Sequence, residues 1–379
     1  MPENIEPANS SINWKLLLRR MERQKAVLFL GPEVPMAIGE NPRPITEVLQ
    51  EHIRRDLQDL LEEYDLHKIE YYNEDGFFHL EDEYRSDIVY PVIQFYRGLE
   101  VGELYRKLVQ LPFHLILSLS PDELVCRAFE EQGLPYHFHF YNKRKYNKEQ
   151  DDALLHFRPS PDNRLVYNVF GSVRDEGSLI LSYDDLFEFL QKIFNNYHLP
   201  EAVRETVMDA NYFLFIGFNY TKWYLKLLLR LFNLHEKVKQ VYGTESPDRP
   251  ETEIFFVNEF DMKFTRLHSQ AFIEELYEKC REEGLLVQPP TLPRLDPQLA
   301  AELRRLIGQN EIERAFDLLL GKDGERTLPQ PFGDQLVQLS ARYHTLQRNH
   351  AKGILDYKDY SLELNRITDD LLKSLTEFS

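Results

Sequence analysis

The chain opens its ordered pattern with a short amphipathic stretch, Ile12 to Met21, in which Leu16, Leu17 and Met21 share one side, and Ser11 stands where a helix cap would be. Directly after it comes Ala26-Val27-Leu28-Phe29-Leu30, a continuous apolar run ending in Gly31. An unbroken run of this length fits a strand buried on both faces of a parallel sheet, since a half-exposed strand would alternate. Further strands are predicted at Leu115 to Leu119, Tyr136 to Tyr141, Arg164 to Val169, Tyr212 to Ile216 and Glu253 to Val257. Helical spacing of apolar residues falls between several of them, at Leu186 to Phe194, Trp223 to Phe232 and Phe272 to Glu283. Alternation of strand and helix predicts an α/β fold with helices on both faces of a parallel sheet. The stretch from Glu47 to Tyr96 carries Leu49, Ile53, Leu57 and Leu60 at helical spacing, with many aromatics, and predicts a helical insertion beside the sheet.

Three prolines among residues 289–293 break helix and strand alike, so the pattern divides there. The expected organisation is an α/β domain over 1–288, a proline-rich linker over 289–297 and an all-α bundle over 298–379. In the bundle, two short helices, Gln298 to Ile307 and Glu311 to Leu320, precede two long ones. Leu336, Leu339, Tyr343 and Leu346 form one apolar stripe, and Tyr360, Leu364, Ile367, Leu371 and Leu375 form its match. Gly353 stands where the third helix should stop, and Asp356 where the fourth should be capped.

Composition narrows the function classes. With 42% hydrophobic and 28% charged residues the chain can build a core and a solvated surface. No apolar stretch approaches a membrane span and no secretory leader pattern opens the chain, so a cytoplasmic protein is expected. Cys126 and Cys280 offer neither a disulfide framework nor zinc spacing. A net charge of −18 disfavours phosphate-driven nucleic-acid binding. The one basic cluster, Lys143-Arg144-Lys145 with Lys148, reads first as a solvated loop. His137 and His139 share a strand face without a third metal ligand at a diagnostic spacing, so no metal site is expected. Asp184, Asp185 and Glu188 read as acids at a helix start, ahead of a glycosidase carboxylate pair.

Gly31 ends the first strand where dinucleotide-binding folds place their phosphate loop. Pro32 removes a backbone donor there, and Glu33 adds a negative charge beside any pyrophosphate.

The order of four stretches over roughly residues 12–285 resembles the sirtuin-like domains of bacterial antiviral and conflict systems. They are Gly31-Pro32-Glu33-Val34-Pro35, Ser118-Leu119-Ser120-Pro121-Asp122, Phe170-Gly171-Ser172 and Phe215-Ile216-Gly217-Phe218-Asn219-Tyr220-Thr221-Lys222-Trp223. The resemblance implies a Rossmann-type sheet and a pocket for NAD or ADP-ribose near Gly31, Glu33, Ser118, Ser120, Asp122, Gly171, Gly217 and Asn219. In that family an Asn positions NAD and a His is the acid or base; here Ser120 and Phe170 occupy those positions. Phenylalanine has no proton to transfer, so no catalytic residue is assigned, and NAD or ADP-ribose stays a candidate ligand without being an assigned cofactor. The expectation is a degenerate module serving as scaffold, sensor or nucleotide-binding component. The alternative is an NAD-hydrolysing effector in which Glu33, Ser120, Asp122 or Asn219 replaces the missing groups.

Residues 298–379 resemble the small effector-associated domains of the same systems, on Leu339-Ser340-Ala341-Arg342-Tyr343-His344, Gly353-Ile354-Leu355 and Leu364-Asn365-Arg366-Ile367. That resemblance implies docking to protein partners, with Arg342, Arg348 and Arg366 as candidate contacts and self-association a further outcome.

Overall fold

The computed structural model describes residues 12–36, 43–56, 69–72, 74–142, 154, 157–194, 199–232, 234, 239–265, 267–289, 297–309, 311–320, 332–352 and 357–377. The basic cluster from Lys143, together with Ser11, Leu57, Leu60, Gly353 and Asp356, lies outside the described residues. The chain divides into two compact units, Met1–Pro289 and Pro290–Ser379.

The first unit is built on seven parallel strands: β1 (Ala26–Leu30), β6 (Leu115–Ser118), β7 (Tyr136–Phe140), β8 (Arg164–Asn168), β9 (Tyr212–Ile216), β10 (Gln240–Gly243) and β11 (Met262–Phe264). Their order across the sheet is β11-β10-β9-β1-β6-β8-β7. Strand β1 is central, with Leu28 opposite Ile116 on one side and Leu214 on the other. Successive side chains leave a strand on opposite faces. Thus Leu28, Leu214 and Ile216 enter one core, against the helices Trp14–Glu22, Glu103–Gln110 and Ser269–Glu282. Val27, Phe29, Phe213 and Phe215 enter the other, against the helices Tyr183–Phe194, Trp223–Leu231 and Pro250–Phe260. Burial on both sides is why these runs are continuously apolar. The first helix is capped by Asn13, whose Oδ1 accepts from the Leu16 N–H at 3.0 Å.

Two expectations are corrected. Glu253 to Val257 is not a strand but lies in the helix Pro250–Phe260. Pro250 opens that helix, Glu251 and Glu253 sit in its first turn, and Asp261 ends it in the left-handed region at φ 48°. Only Phe256 and Phe260, one turn apart, are buried, while Ile254 and Val257 are exposed. The apolar run mimicked a strand because its exposed side is apolar as well. Strands β10 and β11, short and poorly marked, extend the sheet instead.

The insertion is only partly helical. Helices Ile45–Asp56 and Arg85–Gly98 flank an antiparallel hairpin of β4 (Ile69–Tyr72) and β5 (Phe77–Leu80), with Tyr71 opposite Phe78. Aromatic side chains suit a pleated, half-buried surface better than a helix. The remaining pair, β2 (Pro35–Met36) and β3 (Arg43–Pro44), is short and antiparallel.

The second unit is helical: Pro297–Gly308, Ile312–Leu320, Phe332–Ala351 and Tyr357–Glu377. Leu336, Leu339, Tyr343 and Leu346 pack with Ile367 and Leu371, and Phe316 meets Tyr343 at 5.8 Å. Tyr360 and Leu364 pack against the same core, so the described residues of both long-helix stripes face it.

His114, just before β6, gives this architecture an acid sensitivity. Its side chain is buried, Nδ1 has no partner among the described residues, and burial pulls the imidazole down from 6.5 to about 4 against the opposing pull of Asp209. Between those values the unfolded chain binds a proton that the folded chain does not, so stability falls as pH drops and is unaffected above 6.5. The loss reaches about 3 kcal/mol at most. Urea unfolding at about pH 7 and about pH 4 should show a smaller acid loss for His114→Phe than for the parent.

Candidate functional site

In open α/β sheets, ligand crevices form outside the carboxyl ends of the strands where the chain order reverses. Here that point lies between β1 and β9, whose following connections lead to opposite sides of the sheet. A cleft of about 520 Å³ opens there. Its lining includes Pro32 and Glu33 after β1, Leu119 to Pro121 after β6, Phe170 after β8, and Phe218, Asn219, Thr221, Lys222, Tyr224 and Leu225 after β9. The hairpin turn Glu74–Asp75–Gly76 and Tyr71 close one side, while Thr46 and Glu47 come from the helix Ile45–Asp56.

The loop after β1 is tied to the loop after β9. Gly31 N–H donates to Ile216 O at 2.8 Å and Glu33 N–H to Gly217 O at 2.9 Å. Pro32 has no N–H to give. At residues 31–33 the amides are therefore engaged within the protein or missing. Close approach explains both glycines: a Cβ on Gly31 would overlap Gly217 O and lie 2.7 Å from Gly217 C, and Gly217 adopts φ 73° against Val34.

Glu33 faces the cleft, where Oε2 accepts from Thr46 Oγ1 at 2.6 Å. Burial raises its carboxyl above the ordinary carboxylate value, while the Thr46 hydroxyl and the charge of Lys222 oppose that shift. Lys222 moves the other way: burial lowers its ammonium, against Glu33, Asp75 and Glu74. Lys222 Nζ donates to Glu74 O, and Tyr183 OH to Asp75 Oδ2, so the hairpin turn is tied down at the cleft mouth.

Ser120 lines the cleft but its hydroxyl turns to Asp122. Asp122 is buried beneath it: Oδ1 accepts from Leu124 N–H at 2.7 Å, and its carbonyl accepts from Asn168 Nδ2 at 3.0 Å. Burial raises the Asp122 carboxyl, opposed by Ser120, Leu124 N–H and Arg127. This carboxylate starts the helix Leu124–Glu131. Asn219 Oδ1 accepts from the N–H and hydroxyl of Thr221, at 3.0 and 2.6 Å, shaping the turn after β9.

Phe170 is 7% exposed in an aromatic floor, edge-on to Phe77 (6.3 Å), Phe189 (5.6 Å) and Tyr224 (5.8 Å). Gly171, at φ 85°, lets the chain pass against Ser178. Of the residues singled out from the sequence, Glu33, Ser120, Phe170 and Asn219 line the cleft. Gly31, Ser118, Asp122, Gly171 and Gly217 shape the loops behind it. The sequence reading did not assign Thr46, Asp75, Lys222, Tyr224 or Arg249 to the site, and it took the aromatics at Tyr71 and Phe77 for core; the lining adds all of them. Lys222 and Tyr224 lay within the stretch that carries the last motif.

Other sequence candidates have local roles. His137 packs on Phe157 at 4.6 Å and His139 on Tyr167 at 6.4 Å. Asp185 caps the helix Tyr183–Phe194, accepting from Leu181 N–H and Ser182 N–H at 3.0 and 3.1 Å. In the second unit, Arg342 joins the two long helices through Glu363 (2.8 Å) and Asp370 (3.2 Å), and Arg366 meets Glu363 at 3.3 Å. Arg348 lies in the last turn of Phe332–Ala351.

Comparison with known families matches residues 114–275 to the SIR2-like domain. The chain carries a SIR2-like domain. Residues 298–379 match effector-associated domain 11, so the helical unit is an effector-associated domain. Among solved structures, a Sir2 homologue in complex with NAD is similar at 12% identity, with 73% of this chain and 96% of that one covered and a TM-score of 0.37. A structure addressing the mechanism and regulation of Sir2 enzymes gives 11% identity, 72% and 98% coverage and a TM-score of 0.34. A Sir2 mutant with a p53 peptide and NAD gives 12%, 72% and 100%, and 0.33. No curated protein matches the chain. No helix among the described residues is long and apolar enough to cross a membrane.

Proposed function

We propose that this chain is a catalytically degenerate SIR2-like module, acting as a scaffold or sensor within a bacterial defence assembly to which its effector-associated domain recruits it. The observation that carries this reading is Phe170. It fills the acid–base position of the motif with a ring locked among Phe77, Phe189 and Tyr224, where no proton can be exchanged. The engaged amides of Gly31 and Glu33 support it, because they leave the first loop without free donors at those positions for a pyrophosphate.

One observation favours a second reading, NAD hydrolysis at a rearranged site. Glu33 and Lys222, with shifts of opposite sign, share the cleft, and such pairs can divide acid and base roles. Nicotinamide release from NAD by the full-length protein decides between the two. Turnover below about 0.01 per second is expected, against the roughly 1 to 10³ per second typical of enzymes. Turnover in that range, abolished by Glu33→Gln, would overturn the degenerate reading. In the same preparations, removal of residues 290–379 should abolish co-purification with the products of neighbouring genes; undiminished assembly would place recruitment elsewhere.

A further inference from the structure

Three tyrosines reach the cleft from three separate elements: Tyr71 from β4, Tyr96 from the helix Arg85–Gly98 and Tyr224 from the helix Trp223–Leu231. Tyr96 and Tyr224 are only 7% and 8% exposed. The Tyr71 hydroxyl lies 3.7 Å from where a Cβ on Gly76 would stand, under the hairpin turn that closes the cleft. Each phenol is within electrostatic reach of the other two. None of the three hydroxyls has a hydrogen-bond partner among the described residues, whereas Tyr183 OH at the cleft mouth has Asp75. A buried phenol ordinarily finds a partner, because a stranded hydroxyl forfeits the hydrogen bonds it made in water. We infer that this cleft binds an uncharged cyclic amide of the nucleobase type, its carbonyl accepting from the tyrosine hydroxyls, its ring N–H donating to Glu33 and its plane lying on the aromatic floor.

The chemistry of each group selects that class. Burial raises all three phenols, Tyr71 to about 12, so each keeps its proton at neutral pH and has a hydrogen to donate. Glu33 lies close enough for its charge to raise Tyr71 and Tyr224 further, so a carboxylate acceptor stands beside the phenol donors. Neighbouring donors and acceptor match the neighbouring C=O and N–H of a cyclic amide. Phe77, Phe170 and Phe218 supply the apolar surface that a flat ring covers. Charge turns away the phosphorylated relatives. Glu33, Glu47, Glu74 and Asp75 line the cleft against Lys222 and Arg249 among the described residues, and the amides of Gly31 and Glu33 are already engaged. The volume, about 520 Å³, suits a small organic ligand.

The inference names a ligand for the sensor role and rests on the degenerate reading. Its test is calorimetry on full-length protein, Tyr96→Phe, Tyr224→Phe and, as a control, Tyr90→Phe, whose ring is 65% exposed on the same helix as Tyr96. The probes are uracil and hypoxanthine, the N-methylated forms of both that lack the amide N–H, UMP, IMP and NAD. At least one base should bind the parent with Kd below about 1 mM, at least about tenfold more weakly to Tyr96→Phe and Tyr224→Phe, and unchanged to Tyr90→Phe. Its N-methylated form and its nucleoside monophosphate should each bind the parent at least about tenfold more weakly than the base. In thermal unfolding without ligand, Tyr96→Phe and Tyr224→Phe should match or exceed the parent, because the hydroxyl removed has no partner in the free protein. No binding of either base at about 5 mM, equal weakening by all three variants, undiminished binding of the N-methylated forms, tighter binding of a monophosphate or NAD than of the bases, or melting of both cleft variants below the parent would overturn the inference. With no nicotinamide release, any of these results leaves the degenerate reading standing; nicotinamide turnover removes that reading and the inference with it.

Discussion

Replacing Gly31 by alanine should destabilise the sheet unit by about 4 kcal/mol or more, enough to leave much of it unfolded at 37 °C. Loop strain alone would not reach that figure. The new Cβ would overlap the Gly217 carbonyl oxygen and lie 2.7 Å from its carbon and 3.0 Å from Phe218 Cδ2. Backbone cannot swing aside as a long side chain can, and this backbone is fixed by the Gly31–Ile216 and Glu33–Gly217 hydrogen bonds between the central strands' loops. Relief would require β1 and β9 to separate at their carboxyl ends, which opens the cleft and both cores together. Two other glycines calibrate the effect. Gly284 has φ 68° but no atom near an added Cβ, so Gly284→Ala should cost only about 1–2 kcal/mol of backbone strain. Gly98, at the end of its helix, has neither constraint, so Gly98→Ala should be neutral or stabilise by about 0.4–1 kcal/mol. Thermal and urea unfolding of the three variants should fall in that order. A Gly31→Ala protein as stable as Gly98→Ala would mean that the two loops are not joined.

The central sheet was legible because its strands are buried on two faces, so Ala26 to Leu30 and Tyr212 to Ile216 are apolar at every position. Periodicity failed where exposure and hydropathy part company. Ile254 and Val257 are apolar yet exposed, which made a one-sided helix look like a strand. It failed again at β4 and β5, where the aromatics of Tyr71 and Phe78 pair across a turn rather than along a helix. At the site, motif order drew attention to Ser120 and Phe170, and both line the cleft. What surrounds them could not be read that way. Thr46 meets Glu33 from a separate helix, and Lys222 reaches a carbonyl 148 residues away in sequence. Such partners leave no local spacing, since each residue alone suits an exposed turn or helix end. Glu33 illustrates the consequence: the sequence shows a charge in a phosphate loop, and only the fold shows a half-buried carboxylate held by a hydroxyl.

Arg85 and Asp185, 100 residues apart, form the interaction whose loss should be the next most costly. Arg85 Nη1 donates to Asp185 Oδ2 at 2.8 Å with side chains only 14% and 6% exposed, and Arg85 Nη2 donates to Leu179 O at 3.0 Å. The same Asp185 oxygen takes the Leu181 and Ser182 N–H groups that open the helix Tyr183–Phe194. One carboxylate thus fixes the helix Arg85–Gly98, the start of a second helix and Leu181, whose carbonyl accepts Phe78 N–H from the hairpin at 2.8 Å. Asp185→Ala leaves a guanidinium in low-dielectric surroundings without its counter-charge and strips two amides of their acceptor. Breaking a buried pair from one side costs about 3–5 kcal/mol. The exposed pair Lys25–Asp209, with Asp209 71% exposed, is the comparison, because solvent screens it: Asp209→Ala should cost less than about 1 kcal/mol. Arg85→Met with Asp185→Leu should be less damaging than Asp185→Ala alone, since removing both charges avoids the stranded cation and leaves neutral groups unsatisfied, the two amides and the Leu179 carbonyl. Thermal unfolding should therefore rank the parent and Asp209→Ala together, the double variant below them and Asp185→Ala lowest. If Asp185→Ala matched Asp209→Ala, the pair would be solvated and would not hold the hairpin against the cleft.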